Sequence, residues 1–206
     1  ASDVYKRQDL PLSVEITIAG DAMRLRFDGP PQVRAGINMT RTALLATVYY
    51  AVKAVVDPGL PPNAGLARPL TVTATEGSVL SCRAPAAVNA RLSTCQRVAD
   101  LILGALAQAV PERLTGAQHG ACSVAQFSGY TDRGPWAYLE TIGGGFGARA
   151  TKDGLDGVHV HATNTSNLPV EALETEYPLT LLSYGLVEGS GGAGTWRGGM
   201  GLRRVY

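Results

Sequence analysis

The sequence predicts an α+β fold, with a mixed, largely antiparallel sheet and two longer packed helices, in a partial domain of a larger protein. Three observations lead to that class. Apolar and polar residues alternate with a period of two over residues 12–18 and again over 23–27, the pattern of strands with one buried face. Two stretches, residues 44–55 and 98–109, carry apolar side chains at helical spacing. Strands and helices do not alternate regularly along the chain, which excludes a doubly wound parallel sheet.

Taken in order, Leu12, Val14, Ile16 and Ile18 share one face, and Met23, Leu25 and Phe27 share one face across a short "AGDA" turn, so the two runs form a hairpin. "GPPQVRAG" interrupts the pattern. Asn38 or Thr40 is placed to cap a helix carrying Leu44, Val48, Ala51, Val52 and Val55, which "DPGLPP" ends. "PLTVTAT" reads as a strand with Leu70, Val72 and Ala74 inward. Thr94 is a second capping candidate, ahead of a stripe of Val98, Leu101, Ile102, Ala105, Leu106 and Ala109 that stops near Pro111. Further strands are expected near residues 123–127, 136–142, 157–163, 180–186 and 202–206, and Pro169 suits the first position of a short helix with Glu171 and Glu174 early in it. No internal repeat is visible.

Composition narrows the function. The 206 residues are 45% hydrophobic and carry a net charge of +1, enough apolar content for a core and too little basic charge to make nucleic acid or an anionic membrane the main partner. The longest apolar runs, "ALLATVYYAV" and "LILGALAQAV", fall short of the roughly 20 residues needed to span a bilayer. Three widely spaced cysteines, Cys82, Cys95 and Cys122, suit a reducing cytoplasm better than a disulfide framework. "ASDVYKRQ" lacks periodicity and an initiator Met, and reads as translated adapter sequence; residues 1–8 are expected to be a non-native or disordered leader, and residues 9–206 an incomplete domain.

Two segments are dense in glycine, "GGGFGARATKDG" and "GSGGAGTWRGGMG". Aromatic and basic residues between the glycines set them apart from free linkers, and they suit either tight loops beside a site or plain bends between strands. Gly143, Gly145 and Ala148 match G-x-G-x-x-A, but the "RATKDGLDG" that follows cannot open the helix a dinucleotide site needs. No G-x-x-x-x-G-K-[ST] loop is present, so this chain is not expected to bind ATP itself.

"DGLDGVHVHATNTSNLPVE" is the richest polar stretch. On a strand, His159 and His161 would share a face. Two imidazoles there suit a metal, or the positioning of a carbonyl and a proton, or nothing more than a wet strand face. A metal would need a further ligand that the spacing does not reveal. Cys122, three residues after His119, is read as a small buried cysteine rather than a nucleophile.

With these residues in view the chain resembles the hydantoinase B/oxoprolinase family from about Leu12 to Tyr206. Four segments in order carry the resemblance: "APAAVNARLSTCQRVADLILGALAQAVPERL", "YLETIGGGFGAR", "DGLDGVHVHATNTSNLPVEALETEYPL" and "GSGGAGTWRGGMGLRR". His161, Asn164, Asn167, Pro169 and Glu171 match the family's H-x-T-N-x-x-N-x-P-V-E pattern, and His159 lies outside it. The resemblance implies the B-type component of an ATP-dependent cyclic-amide hydrolase, of hydantoin or 5-oxoproline type, working with an A-type ATPase that phosphorylates the substrate oxygen. It implies catalytic roles for His161, Glu171 and Asn164, with His161 or Glu171 as base, and substrate contacts from Asn167, Gly144, Gly145 and Arg149. It places no metal ligand on these residues: ATP–Mg would enter through the A-type partner, and a divalent metal would belong to an N-terminal part. A scaffold role without catalytic residues, and membership of a related carboxylase, are the alternatives. A cytoplasmic oligomer acting on a small cyclic amide is expected.

Overall fold

The computed structural model describes residues 9–206; the expected leader lies outside them. The described chain forms two compact units, one ending at Leu114 and the other spanning Thr115–Tyr206. As expected, helices and mostly antiparallel strands are mixed.

In the first unit, β1 (Ser13–Ala19) and β2 (Ala22–Asp28) form the hairpin. Gly20 turns it at φ +59°, a conformation that glycine adopts without steric cost. The register sets Val14 opposite Phe27 and Ile16 opposite Leu25, so the alternating apolar set meets on one face. Ile18 is the exception, more than half exposed at the strand's end. Helix α1 (Arg41–Val56) follows, then the single turn α2 (Ala64–Ala67) and β3 (Leu70–Ala74), which lies parallel to β2. Helix α3 (Arg91–Leu106) completes the unit. Leu44, Val48, Ala51, Val52 and Val55 of α1 and Val98, Ile102 and Leu106 of α3 join Leu25, Phe27 and Val72 of the sheet in one core cluster.

The capping candidates divide. Thr40 caps α1, its hydroxyl accepting from the Ala43 amide. Asn38 is fully buried and instead cross-links loops, accepting from the Val33 amide and donating to the Val33, Ala35 and Ala87 carbonyls. Thr94 is no cap: α3 starts three residues earlier, and the Thr94 hydroxyl donates to the Ile37 carbonyl at 2.6 Å. A tertiary acceptor has taken the group that local pattern assigned to the helix end. Thr40→Ala is expected to lower stability by about 1 kcal/mol in urea unfolding; an unchanged midpoint would show the cap to be idle.

In the second unit, β4 (Ser123–Thr131) and β5 (Gly134–Ile142) form a long antiparallel hairpin, and β6 (Ser183–Leu186) pairs with β7 (Leu202–Val205). Between them runs α4 (Val170–Glu176), with Pro169 at the cap and Leu173 buried. Tyr177 ends the helix against the ring of Tyr138, centroids 4.9 Å apart. The strand expected over residues 157–163 is absent. Val158 exchanges two backbone hydrogen bonds with Gly144, at 2.9 and 3.0 Å, as an isolated bridge. Gly157 before it and His161 after it both have positive φ, +63° and +49°. Backbone turned to the left-handed region at both ends cannot extend the ladder. Among the described residues no helix is long and apolar enough to cross a membrane.

Candidate functional site

The glycine-rich segments build a cavity inside the second unit. Residues 143–154 leave the end of β5, and residues 189–201 join β6 to β7. They interlock through backbone: Gly199 N–H donates to Phe146 C=O at 2.9 Å, and Gly154 N–H to Arg197 C=O at 2.8 Å. Glycine is obligatory at these crossings. A Cβ on Gly145 would stand 1.9 Å from the Gly199 carbonyl oxygen, and one on Gly147 equally close to that of Gly116. Two carboxylates lock the second loop. Asp153 accepts from the Arg197 amide at 2.7 Å, and Asp156 grips the Arg197 guanidinium with both oxygens, at 3.0 and 3.2 Å, while accepting from Met200 N–H. The Arg197 hydrogen bond holds the Asp156 carboxyl below its ordinary pKa.

The cavity these loops enclose with residues 116–119 has a volume of about 640 Å³. His119 is part of its wall, its backbone N–H donating to Gly145 C=O at 3.1 Å. Its ring lies directly on Gly144, where a Cβ would fall 2.3 Å from the imidazole Cγ. Gln118 fixes the adjoining backbone by accepting from Gly147 N–H at 2.7 Å.

A second polar cluster holds the asparagine-rich turn against the end of β5. The Asn167 amide donates to Thr141 C=O at 3.0 Å and its carbonyl accepts from the Tyr184 hydroxyl at 3.1 Å. The Thr165 hydroxyl bonds that of Thr141 and meets His159 Nε2 at 3.3 Å. Beneath lies Glu140, which accepts from the Leu168 amide and the Tyr206 hydroxyl and pairs with Arg204. The Arg204 side chain is fully buried, and that of Glu140 only 5% exposed, so this ion pair sits in the low-dielectric interior. Burial raises the Glu140 pKa, but hydrogen bonds from Asn167, Tyr206 and Leu168 outweigh it and hold the carboxyl below its ordinary range.

The residues expected to act together are distributed over these two clusters. Gly145 lines the cavity, and Gly144 lies under the ring of His119. Arg149 lies near the ring of Phe146, 6.0 Å from its centroid, outside the lining. Asn167 is built into the turn. His161 stands at the head of that turn, where Thr163 N–H and hydroxyl both donate to Val160 C=O. Asn164 and Glu171 are exposed, Glu171 in the first turn of α4. His159 and His161 do not share a strand face, because no strand is present there. Cys122 is half-buried, and burial raises its thiol pKa, the opposite of an activated nucleophile. Among the described residues no group of three or more His, Cys, Asp or Glu side chains is arranged to hold a metal ion.

Sequence reading missed two members. His119 drew notice only beside Cys122, although flanking Gly116 and Gly120 marked a tight segment. Glu140 shares the buried parity of Trp136 and Tyr138 on β5, and a carboxylate at a core-facing position signals a buried cation partner.

Comparison with known proteins agrees with this architecture. A profile of the hydantoinase B/oxoprolinase family matches residues 1–206. The chain is 42% identical over 204 residues to an uncharacterized protein of Methanocaldococcus jannaschii, covering 98% of this chain and 36% of that protein. It is 35% identical to the B-type subunit of a putative D-/L-hydantoinase from a Pseudomonas species, covering 98% and 36%. The crystal structure of the ATP-dependent caprolactamase of Pseudomonas jessenii superposes with a TM-score of 0.78 at 30% identity, over 93% of this chain and 34% of that one. The chain thus spans about a third of the length of these relatives. A profile match along its whole length and a shared fold at that identity place this chain in the hydantoinase B/oxoprolinase family.

Proposed function

We propose that this chain forms part of the B-type component of an ATP-dependent cyclic-amide hydrolase, of hydantoin or 5-oxoproline type, acting on an intermediate phosphorylated by an A-type ATPase partner. Relatives named as the B-type component of a hydantoinase, a 5-oxoprolinase and the beta component of a caprolactamase support the class. The observation that carries the site is the backbone of His161, held at φ +49° at the head of a turn tied to the end of β5. A non-glycine residue in that region is unfavourable, and the surrounding bonds impose the conformation.

The chemistry follows from the amide. Its carbonyl resists water because the nitrogen lone pair is delocalised into it. Phosphorylation of the oxygen creates a leaving group and an electrophilic carbon, so the remaining needs are a positioned water, a base and donors for developing charge. In this reading His161 or Glu171 is the base and Asn164 a donor from the exposed turn. Asn167, engaged at both ends of its amide, keeps the turn in place. Gly144, Gly145 and Arg149 shape the approach from the adjoining loop. ATP and Mg²⁺ are bound by the A-type partner.

The test is reconstitution of the full-length protein with its A-type ATPase, measuring ring opening of hydantoin, 5-oxoproline and caprolactam with and without ATP. ATP-dependent ring opening of one of them is the expected result. Strict bicarbonate dependence would assign a carboxylase instead. An assembled complex that cleaves ATP but opens no ring would overturn the proposal.

A further inference from the structure

Glu140 and Arg204 form a buried ionisable pair that the proposed chemistry leaves unused. The Arg204 side chain is wholly buried on β7, and that of Glu140 is 5% exposed on β5, so neither is placed to touch a substrate. Stability alone does not explain them. An ion pair at this depth is costly to desolvate, and apolar residues of similar volume commonly serve as well or better. What apolar residues cannot supply is a set of hydrogen bonds at a fixed place.

Those bonds converge on one residue. Leu168 N–H donates to Glu140 Oε1 at 2.9 Å, and Arg204 Nη2 donates to Leu168 C=O at 3.5 Å. The two members of the pair thus hold both backbone polar groups of the same residue. Arg204 Nη1 completes the pair on Glu140 Oε2, to which the Tyr206 hydroxyl also donates at 2.8 Å. Asn167 beside it is held by Thr141 C=O and the Tyr184 hydroxyl. Residues 167 and 168 are in this way anchored to β5, β6 and β7 at once. Pro169 follows with φ −54°, and a residue before proline is itself restricted, so the anchor passes stiffly into α4. Upstream of it lie His161 and Asn164, and downstream lies Glu171.

We propose that Glu140 and Arg204 are positioning residues of the candidate site: by gripping Leu168 at both its N–H and its C=O, they fix the turn carrying His161 and Asn164 against the helix carrying Glu171. That the turn is catalytic rests on the function proposed above; the grip on Leu168 rests on the hydrogen bonds alone.

The full-length protein, assembled with its A-type ATPase, carries the test as two double variants. Arg204→Met/Glu140→Leu and Arg204→Met/Glu140→Gln each remove both charges, so neither strands one in the interior. Only the second leaves a side-chain carbonyl to accept from Leu168 N–H. The Leu variant should melt at or above the Gln variant, because it buries no extra amide. It should nevertheless turn over about 10²-fold more slowly than wild type, as a misplacement of about 1 Å can cost, with kcat rather than KM carrying the loss. The Gln variant should recover about tenfold of that loss, the worth of one hydrogen bond. Hydrogen exchange of residues 161–171 should be faster in the Leu variant than in the Gln variant. Rates that follow melting temperature, wild-type kcat in the Leu variant, or equal exchange in the two would each overturn the proposal. Should neither double variant fold, Arg204→Lys keeps a charge for Glu140 but gives up the planar fork that also reaches Leu168. A loss of about tenfold in its kcat supports the grip, and wild-type kcat overturns it. The two readings separate. If the wild-type complex opens no ring, the function falls, and exchange of residues 161–171 still decides the grip. If the wild-type complex opens a ring and the Leu variant does so at the same rate, the function stands and the positioning role falls.

Discussion

His161→Ala in the full-length enzyme is expected to lower ATP-dependent turnover by about 10²–10⁴-fold, the usual worth of a general acid–base group. His159→Ala is expected to cost far less. The two residues, one apart in sequence, have different settings. His159 Nε2 meets the Thr165 hydroxyl within the turn, whereas His161 occupies the left-handed conformation at the turn's head. That conformation costs an L-residue roughly 1–2 kcal/mol. A position kept at such a cost, though glycine would relieve it, calls for a reason in the side chain. His161→Gly supplies the control: it should leave stability within about 1 kcal/mol of wild type, the relief of strain opposing the greater freedom of the unfolded chain, yet lose turnover as His161→Ala does. Steady-state rates and melting temperatures for the three variants decide the matter. Near-wild-type rates for both alanine variants, in complexes that still assemble, would leave the chain as scaffold.

Arg204→Met should destabilise the second unit by about 3–5 kcal/mol, the cost of stranding one member of a buried ion pair. Arg204 neutralises Glu140 with its guanidinium wholly buried, and lies over the rings of Tyr184 and Tyr206, 4.6 and 5.4 Å from their centroids. Removing both charges in Arg204→Met/Glu140→Leu should recover much of the loss, because no uncompensated carboxylate remains. The pH dependence has a definite sign. The folded-state pKa of Glu140 lies below its ordinary value of 4.5. The stability it contributes is complete above that value and disappears as pH falls through the lower, folded one. Denaturant unfolding of both variants at neutral pH and on the acid side measures this. A loss below about 1 kcal/mol in Arg204→Met would mean that the pair contributes no more than a surface bridge does. Because Glu140 also accepts from Leu168 N–H, the same variant should loosen the turn that carries Asn164 and His161.

What could be read directly from the sequence is what depends on neighbours along the chain. The hairpin of β1 and β2, the buried stripes of α1 and α3, the inward residues of β3 and the start of α4 after Pro169 follow from periodicity and from proline's fixed φ, both local properties. The family resemblance was legible for a related reason: its four segments are runs of contiguous residues. Local pattern failed where a distant partner competed for the same group. Thr94 looks like a cap until Ile37 C=O is placed beside it. "GVHVHAT" alternates like a strand, yet two left-handed residues and a lone bridge to Gly144 make it a turn. The glycine loops could be read as tight loops beside a site or as plain bends, but not which walls they build, since glycine says only that backbones approach closely. Which backbones meet, Gly145 on Gly199 and Gly147 on Gly116, is settled by contacts between segments some 30 to 50 residues apart. Those contacts bring His119 to the wall of a site for which spacing offers no signal. They also bury Glu140 against Arg204, because a charge taken out of water must find its counter-charge wherever the fold supplies one.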